Sequence, residues 1–250
     1  MIVYEYPLNE RIRTLMRLED LFARFEHFAA QDEALEHHAA LLSLFEALQV
    51  ARGDLKSDLI QELERQKAIL EPLRNNPGVK QDTLDEVLTR INRTVGELQA
   101  MPGKLGQHLR DNEWVMSIKQ RASIPGGVCE FDLPSYHYWL NLDAEVRRQD
   151  LYGWLAPFQP LCNAIDIVLQ ILRDSGEPVQ KTAPHGAYQQ MLSGRVAQML
   201  RVTMLNDLPC FPEISANKYA INIRFTTLDG TERPKACDLD VPFELTLCSL

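Results

Sequence analysis

The sequence lacks most of the motifs that mark a metal centre, a nucleotide site or a hydrolase. Its five cysteines are odd in number and widely spaced, and they include no Cys-x-x-Cys pair. We therefore expect reduced thiols, with neither a disulfide framework nor a zinc site. There is no Gly-x-Gly-x-x-Gly or Walker loop, no His-Glu-x-x-His and no Gly-x-Ser-x-Gly elbow. These absences predict no metal, no cofactor and no catalytic activity.

Long apolar runs are also absent. None approaches the roughly 20 residues that a helix needs to cross a bilayer. The first ten residues have neither the basic region nor the apolar stretch of a signal peptide. We expect a cytoplasmic protein that is not inserted in a membrane.

Acidic residues outnumber basic ones overall, but the excess is unevenly spread along the chain. The chain has 26 Lys and Arg against 35 Asp and Glu, and a net charge of -9 argues against a nucleic-acid partner held through its phosphates. From Lys181 to Thr227, however, five basic residues outnumber two acidic ones. Such a patch on an acidic protein can dock an acidic peptide, although five cations in that length are also unremarkable.

The amino-terminal half has the periodicity of a helical bundle. Apolar residues recur every three or four positions in five segments, with breaks at Arg52-Gly53, residues 75–78 and Pro102-Gly103. Asn9 is placed to cap the first helix. Short connections between amphipathic helices favour a bundle, and we assign residues 8–120 to an α-helical domain that carries the dimer contact.

The later part of the chain changes to the two-residue period of strands, after helices near residues 135–175. Apolar and polar residues alternate at 179–182, 186–192, 196–204, 219–225 and 239–247. Ile2–Tyr6 has the same pattern and should pair with these later strands. We predict an α+β protein whose second domain, residues 1–7 and 121–250, is a mostly antiparallel sheet with one wet face.

Phase and proline content add two expectations about that sheet. Pro242 lacks an N–H group, so the last strand should be an edge strand or contain a bulge. If Ile223 is buried, Arg224 points to the opposite face together with Lys218, and Arg201 lies off the apolar face of its own strand. The alternation therefore predicts three cations on one side of one sheet.

The stretch Ser123–Leu140 joins the two patterns. Pro125-Gly126-Gly127 ends the preceding helix, and residues 128–133 alternate as a short strand would. A helix start at residues 132–135 then leads into an aromatic group that we interpret as core: Tyr136, Tyr138 and Trp139. We interpret the whole stretch as the joint between the two halves.

One pair in this stretch could suggest chemistry. Cys129 and His137 lie eight residues apart, a combination that suggests a thiol nucleophile and its base. A buried cysteine and a hydrogen-bonded structural histidine are the commoner explanation. No other set of residues forms a catalytic constellation.

Two stretches are distinctive as sequences: residues 6–19, Tyr-Pro-Leu-Asn-Glu-Arg-Ile-Arg-Thr-Leu-Met-Arg-Leu-Glu, and residues 121–140, Arg-Ala-Ser-Ile-Pro-Gly-Gly-Val-Cys-Glu-Phe-Asp-Leu-Pro-Ser-Tyr-His-Tyr-Trp-Leu. Shorter supporting matches are Arg52-Gly53, residues 62–66, Ile223-Arg224-Phe225 and Leu228-Asp229. Together they resemble the ZapD family, the Z-ring-associated D proteins of bacterial cell division. The resemblance covers nearly the whole chain.

The resemblance implies an α-helical and a β-strand domain, a homodimer, and no catalytic activity. ZapD-like proteins bind the C-terminal tail of FtsZ, the tubulin-like GTPase of the division ring, and cross-link and bundle its filaments at midcell. Basic residues are implicated in tail binding, and the matching positions here are Arg52 and Arg224. Because a relative has a basic residue where this chain has Ala220, we add Lys218, Arg201 and Arg121 to the candidate set.

Two other interpretations stay open. One is a cytosolic dimeric adaptor that binds another acidic or disordered tail through a basic sheet face. The other is an enzyme that uses Cys129, His137 or His185. Co-sedimentation with polymerised FtsZ distinguishes the adaptor from a division protein, and thiol alkylation that leaves an activity intact excludes Cys129 as its nucleophile.

Overall fold

The computed structural model describes residues 1–51, 54–192, 194, 196–217, 219–228, 230 and 233–250. These residues group into two compact units: a β unit of Met1–Arg13 with Leu169–Leu250, and a helical unit of Thr14–Val168. Helices dominate the first part of the chain and antiparallel sheets the last part, which confirms the α+β class.

The helices follow the predicted breaks closely. They are α1 Glu10–Ala29, α2 Ala34–Val50, α3 Leu55–Leu70, α4 Gln81–Ala100, α5 Gln107–Arg110, α6 Glu113–Ala122, α7 Pro134–Leu140, α8 Ala144–Leu155 and α9 Gln159–Asp174. The Asn9 side chain accepts a hydrogen bond from the Ile12 N–H at 2.8 Å, so the predicted cap is confirmed. The predicted fifth helix is divided into α5 and α6, because Asn112 caps α6 by accepting from the Val115 N–H at 3.0 Å.

Helices α7 and α8 belong to the helical unit, because both pack against α2. The His38 Nδ1 atom lies 2.7 Å from the Tyr136 hydroxyl. The rings of Phe25 and Tyr152 meet edge to face with centroids 6.0 Å apart. The domain boundary that we placed at residue 120 therefore differs from this division, which falls inside α1 and α9.

The stretch Ser123–Leu140 contains no strand. Residues 123–133 form successive turns, in which the Gly127 N–H donates to the Ile124 carbonyl and the Asp132 N–H to the Cys129 carbonyl. The strand predicted at 128–133 is wrong, because these local bonds use N–H groups that a strand would offer to a neighbour. Tyr136 and Trp139 are core, as predicted, whereas Tyr138 is 70% exposed.

The segment Ala144–Asp174 is long and apolar enough, by composition, to cross a bilayer. Several of its large apolar side chains are nevertheless packed inside the helical unit. Leu161, Ile165 and Val168 are all fully buried. The segment therefore has the character of a core helix pair, divided by the 3₁₀ turn Ala156–Phe158.

The strands form two sheets. They are β1 Ile2–Pro7, β2 Pro178–Ala183, β3 Ala187–Met191, β4 Met199–Met204, β5 Phe211–Ala216, β6 Ala220–Thr227, β7 Lys235–Ala236 and β8 Val241–Cys248. Sheet A has the order β1-β4-β8-β2, and sheet B has the order β3-β6-β5 with β7 also on β6. The predicted pairing of Ile2–Tyr6 with a late strand is confirmed, since β1 pairs with β4.

The inner faces of the two sheets pack on each other to form the core of the β unit. Leu200, Val202, Phe243 and Leu245 from sheet A share one cluster with Ile221, Ile223 and Phe225 from sheet B. The Phe225 and Phe243 ring centroids are 5.3 Å apart. Because Arg201 and Arg224 alternate with these residues in different sheets, they lie on opposite outer faces. The prediction of three cations on one side of one sheet is therefore wrong.

The expectation for Pro242 is also wrong, because β8 lies between β4 and β2. The proline is tolerated for a local reason. The β4–β8 ladder covers residues 244–248, so Pro242 lies beyond it and faces only Thr182 of β2. A strand that is paired on one side at that point can lack an N–H on the other.

A buried arginine organises one end of the helical unit. The Arg147 guanidinium donates to the His37 Nδ1 atom at 2.9 Å, to the Leu140 carbonyl at 2.9 Å and to the Asp32 carbonyl at 2.5 Å. The other ring nitrogen, Nε2, then bears the single ring proton and donates to the Gln31 carbonyl at 2.7 Å. His37 must therefore stay neutral to accept from Arg147. Burial, assisted by Arg147 and Arg148, lowers the pKa of His37.

The first prediction follows from the sign of this shift. A histidine whose folded pKa lies below its unfolded value stabilises the fold above about pH 6.5, and this stability is lost as the pH falls. His37→Gln keeps one acceptor and one donor but cannot become charged. We expect its free energy of unfolding in urea to fall less than that of the wild type between pH 7.5 and pH 5.5. Equal losses in the two proteins would contradict this role of His37.

A second prediction concerns the turn before α5. Gly103 and Gly106 both have a positive φ, but a Cβ at Gly106 would lie 2.2 Å from Leu48 Cδ1, whereas one at Gly103 would meet nothing within 4 Å. Both alanine variants pay about 1–2 kcal/mol of backbone strain. We expect Gly106→Ala to cost a further ~1–3 kcal/mol for overpacking. Urea unfolding of the pair measures the difference, and equal midpoints would refute it.

Candidate partner-binding surfaces

The outer face of sheet B is an open, mostly uncharged surface around one arginine. We call it the outer B face. Alternation places on it side chains that point away from the core: Ala187, Gln189 and Met191 of β3, Asn222 and Arg224 of β6, and Glu213 and Ser215 of β5. All are exposed except Asn222, which is half-buried. The face can therefore receive a partner without any core residue moving.

Arg224 lies in the middle strand of this face and is exposed. Its cross-strand neighbours are Ala187 on β3 and Glu213 on β5. Ala187 is small, so the guanidinium can extend over β3. The Glu213 carboxylate attenuates the positive potential on the other side, since opposite charges on facing strands attract each other.

Ala220 occupies the far end of β6, in register with Met191 of β3. It is almost fully buried, whereas Met191 is 62% exposed. The position where a relative has a basic residue is therefore apolar here, next to an exposed thioether. The outer B face has a cationic end at Arg224 and an apolar end at Met191.

Arg201 has a different environment, on the outer face of sheet A. Its Nε atom lies 3.2 Å from Glu5 Oε1, an ion pair without hydrogen-bond geometry. The same carboxylate accepts from Arg173 of α9, at 2.9 Å from Nε and 2.8 Å from Nη2. Two cations thus share one half-buried anion. Arg201 is a structural residue and offers little charge to a partner.

Glu5 and Arg173 were not identified from the sequence. The available signal was that Glu5 is the only charged residue in the otherwise apolar and aromatic strand β1. A charge in such a strand normally has a partner, but the sequence does not say which one.

Arg121 lies near the end of α6, and its side chain is about half exposed. Its Nη1 atom is 3.8 Å from the carboxylate of Asp132, which lies in the turns after α6. Arg52 and Lys218 lie outside the described residues. The structure therefore places Arg201 and Arg224 on opposite faces of the β unit and Arg121 in the helical unit.

The residues that flank Arg52 line a basic pocket of about 680 Å³ in the helical unit. Its lining includes Ala51 and Asp54, four further uncharged residues, and three cations: Lys56, Lys104 and Arg110. Lys56 donates to the Met101 carbonyl at 2.9 Å, and Arg110 donates to the Leu105 carbonyl. Carbonyl partners hold these side chains in place without cancelling their charges. The pocket can therefore attract a carboxylate.

The catalytic candidates do not assemble into a site. Cys129 is exposed, which corrects the expectation that it is buried, and the His137 ring lies 3.8 Å from the Glu130 carboxylate. His185 lies 3.0 Å from Asp238. Burial raises the pKa of Cys162 to about 12 and that of Cys210 to about 11, which makes both poor nucleophiles. Among the described residues, no three His, Cys, Asp or Glu side chains are grouped to hold a metal.

The shared carboxylate gives a third prediction. Glu5→Gln leaves Arg173 and Arg201 without their anion, so we expect the free energy of unfolding to fall by about 1.5–3 kcal/mol. Glu10→Gln is the matched control, because Glu10 is 83% exposed in its pair with Arg13. An exposed pair contributes at most about 1 kcal/mol. Equal urea midpoints for the two variants would contradict the assignment.

Comparison with known proteins supplies the family. The ZapD family model, described as a cell division protein, matches residues 16–224. The match spans most of the helical unit and extends through the β unit to Arg224. It includes each candidate binding residue, including the two that lie outside the described residues. The chain therefore belongs to the ZapD family of cell division proteins.

Proposed function

We propose that this protein binds the C-terminal tail of FtsZ and, as a homodimer, cross-links and bundles FtsZ filaments at the midcell ring in the cytoplasm. Membership of a cell division family supports an action in the division machinery. The observation that carries the proposal is the exposed Arg224 on the middle strand of the outer B face. A disordered tail with carboxylates fits a surface that is open, flat and locally cationic.

The candidate residues differ in how well they suit this role. Arg224 is exposed and therefore accessible to a tail carboxylate. Arg52 lies outside the described residues, but Ala51 and Asp54, on either side of it in the sequence, line the pocket that contains Lys56, Lys104 and Arg110. Arg201 and Arg121 are each engaged with a carboxylate of the same chain. We therefore assign tail binding to Arg224 and Arg52, with Lys218 as a further contributor.

Weak sites are sufficient for this function. A disordered tail loses conformational freedom when it binds, which limits the affinity of each site. A dimer offers two equivalent sites, and a filament offers many tails, so the second contact forms at a high effective concentration. The product is a bridge between filaments. This mechanism needs no reaction and no cofactor, and we propose none.

The fourth prediction tests the two arginines. Arg224→Glu and Arg52→Glu should each weaken binding of an FtsZ tail peptide at least tenfold in fluorescence anisotropy, because each replaces an attraction by a repulsion. The dimer should persist in analytical ultracentrifugation. Raising the salt from 50 to 300 mM should weaken wild-type binding, as expected for exposed charge pairs.

Arg93→Glu is the matched control for net charge. Arg93 is 78% exposed on α4, where it pairs with Glu97, and its reversal changes the total charge by the same amount. It should leave tail affinity unchanged. Unaltered affinity of both Arg224→Glu and Arg52→Glu would refute the site. Absence of co-sedimentation with polymerised FtsZ would favour an adaptor for another acidic tail.

A further inference from the structure

The edge strands of the β unit differ in how they are protected. In the described part of the chain, five strands pair on one side only: β1, β2, β3, β5 and β7. Four of them contain a charge or a proline, namely Glu5 and Pro7, Pro178 and Lys181, Pro212 and Glu213, and Lys235. Strand β3, Ala-Tyr-Gln-Gln-Met, contains neither. An uncharged, proline-free edge is a template for one more strand.

Three residues of β3 direct their backbone N–H and C=O groups to the unpaired edge of the strand. The Leu192 N–H donates to the Tyr219 carbonyl across the β3–β6 ladder at 2.7 Å. In an antiparallel pair, successive residues of a strand direct their N–H and C=O groups alternately toward the partner strand and away from it. The N–H and C=O groups of Ala187, Gln189 and Met191 therefore point to the open edge. The side chains of the same three residues lie on the outer B face.

The face beside this edge gives the added segment a chemical preference. A residue opposite Ala187 would lie two strand spacings, roughly 9–10 Å, from Arg224. Because Ala187 is small, an extended Arg224 side chain can meet a carboxylate there. The residue opposite Met191, four positions along, would meet an exposed thioether and should be apolar. Gln189, between them, offers an amide.

We infer that β3 is the docking edge for the partner tail, which adds to sheet B as an extended strand. The tail would place a carboxylate over Ala187, toward Arg224, and an apolar side chain four residues away, beside Met191. The inference rests on the proposed function, since its occupant is the FtsZ tail. It adds the binding mode: backbone pairing fixes the register, and Arg224 with Met191 selects the side chains.

Hydrogen exchange of the full-length dimer tests the pairing directly. Saturating tail peptide should slow exchange of the Gln189 and Met191 amides at least tenfold. The Ile214 and Ala216 amides are the internal control, because β5 directs them to its own open edge while the Asn217 N–H bonds Ala220. Their exchange should not change.

Variants at one position separate backbone from side chain. Gln189→Pro removes an N–H that the β3–β6 ladder does not use, and Gln189→Val keeps it. We expect Gln189→Pro to bind the peptide at least tenfold more weakly than Gln189→Val, with similar urea midpoints for the two variants, because both lose the amide side chain and only the proline loses the N–H. If Gln189→Pro fails to fold, hydrogen exchange at the Gln189 and Met191 amides of the wild type is sufficient to test the pairing.

The peptide supplies the second half of the test. Its carboxylates are replaced one at a time by amides. One replacement should cause no further loss in Arg224→Gln, which removes the charge without adding a repulsion, and this is the sign of a direct pair in a double-mutant cycle. Tight binding should also require an apolar residue in the peptide, four positions from the residue that carries this carboxylate.

The outcomes distinguish the two proposals. If the tail binds, Arg224→Glu abolishes binding, and exchange at β3 is unchanged, then the edge inference is overturned and the proposed function stands. If the wild type does not bind the tail, both are overturned.

Discussion

Contact between the inner faces of the two sheets is the constraint on which the rest of the β unit depends. Phe225 and Phe243 meet in the core, and alternation along each strand then fixes what lies outside. Arg224 is forced to the outer B face and Arg201 to the outer face of sheet A. The same constraint thus makes one arginine available to a partner and places the other beside Glu5.

The two faces show how burial divides similar residues between structure and function. On sheet A, α9 supplies Arg173, and the Glu5 carboxylate is shared by two half-buried cations. A carboxylate in that position cannot be removed without leaving uncompensated charge. On sheet B the described residues include no helix that packs over Arg224, which stays exposed. The cations on the outer face of sheet A are therefore paired within the chain. Arg224 on the outer B face remains able to pair with a carboxylate of a partner.

Local pattern was enough to predict much of this fold. The period of apolar residues identified α1 to α4 and α9, the Asn9 cap, and strands β1 to β4, β6 and β8, because these features depend on neighbours along the chain. Strand β5 was missed, since Pro212 and Glu213 interrupt its apolar residues. The alternation at 128–133 predicted a strand where turns use the same N–H groups. Periodicity indicates which secondary structure a segment favours, and the available hydrogen-bond partners of its backbone decide whether that structure forms.

The assignment of strands to sheets could not be predicted in the same way. Arg201 and Arg224 have equivalent phases in sequence, and only the pairing of β4 with β8 and of β6 with β5 separates them. Pro242 led to the wrong prediction of an edge strand for a similar reason. A proline shows that one hydrogen bond is missing, but it does not show how far the neighbouring strand pairing extends. The family resemblance selected Arg224 without this information. The packing of the two sheets leaves the Arg224 side chain exposed and therefore accessible.

The outer B face also illustrates how a surface with almost no net charge can be selective for one peptide tail. Replacing a basic residue by Ala220 removes long-range attraction, so charge alone is a weaker guide for a tail approaching this chain. Main-chain pairing along β3 would contribute affinity that does not depend on salt, while the single cation at Arg224 distinguishes one register from the next. A shift by one residue would turn the tail carboxylate to the opposite face. In this arrangement the backbone supplies attraction, and the side chains at the two ends of β3 supply discrimination.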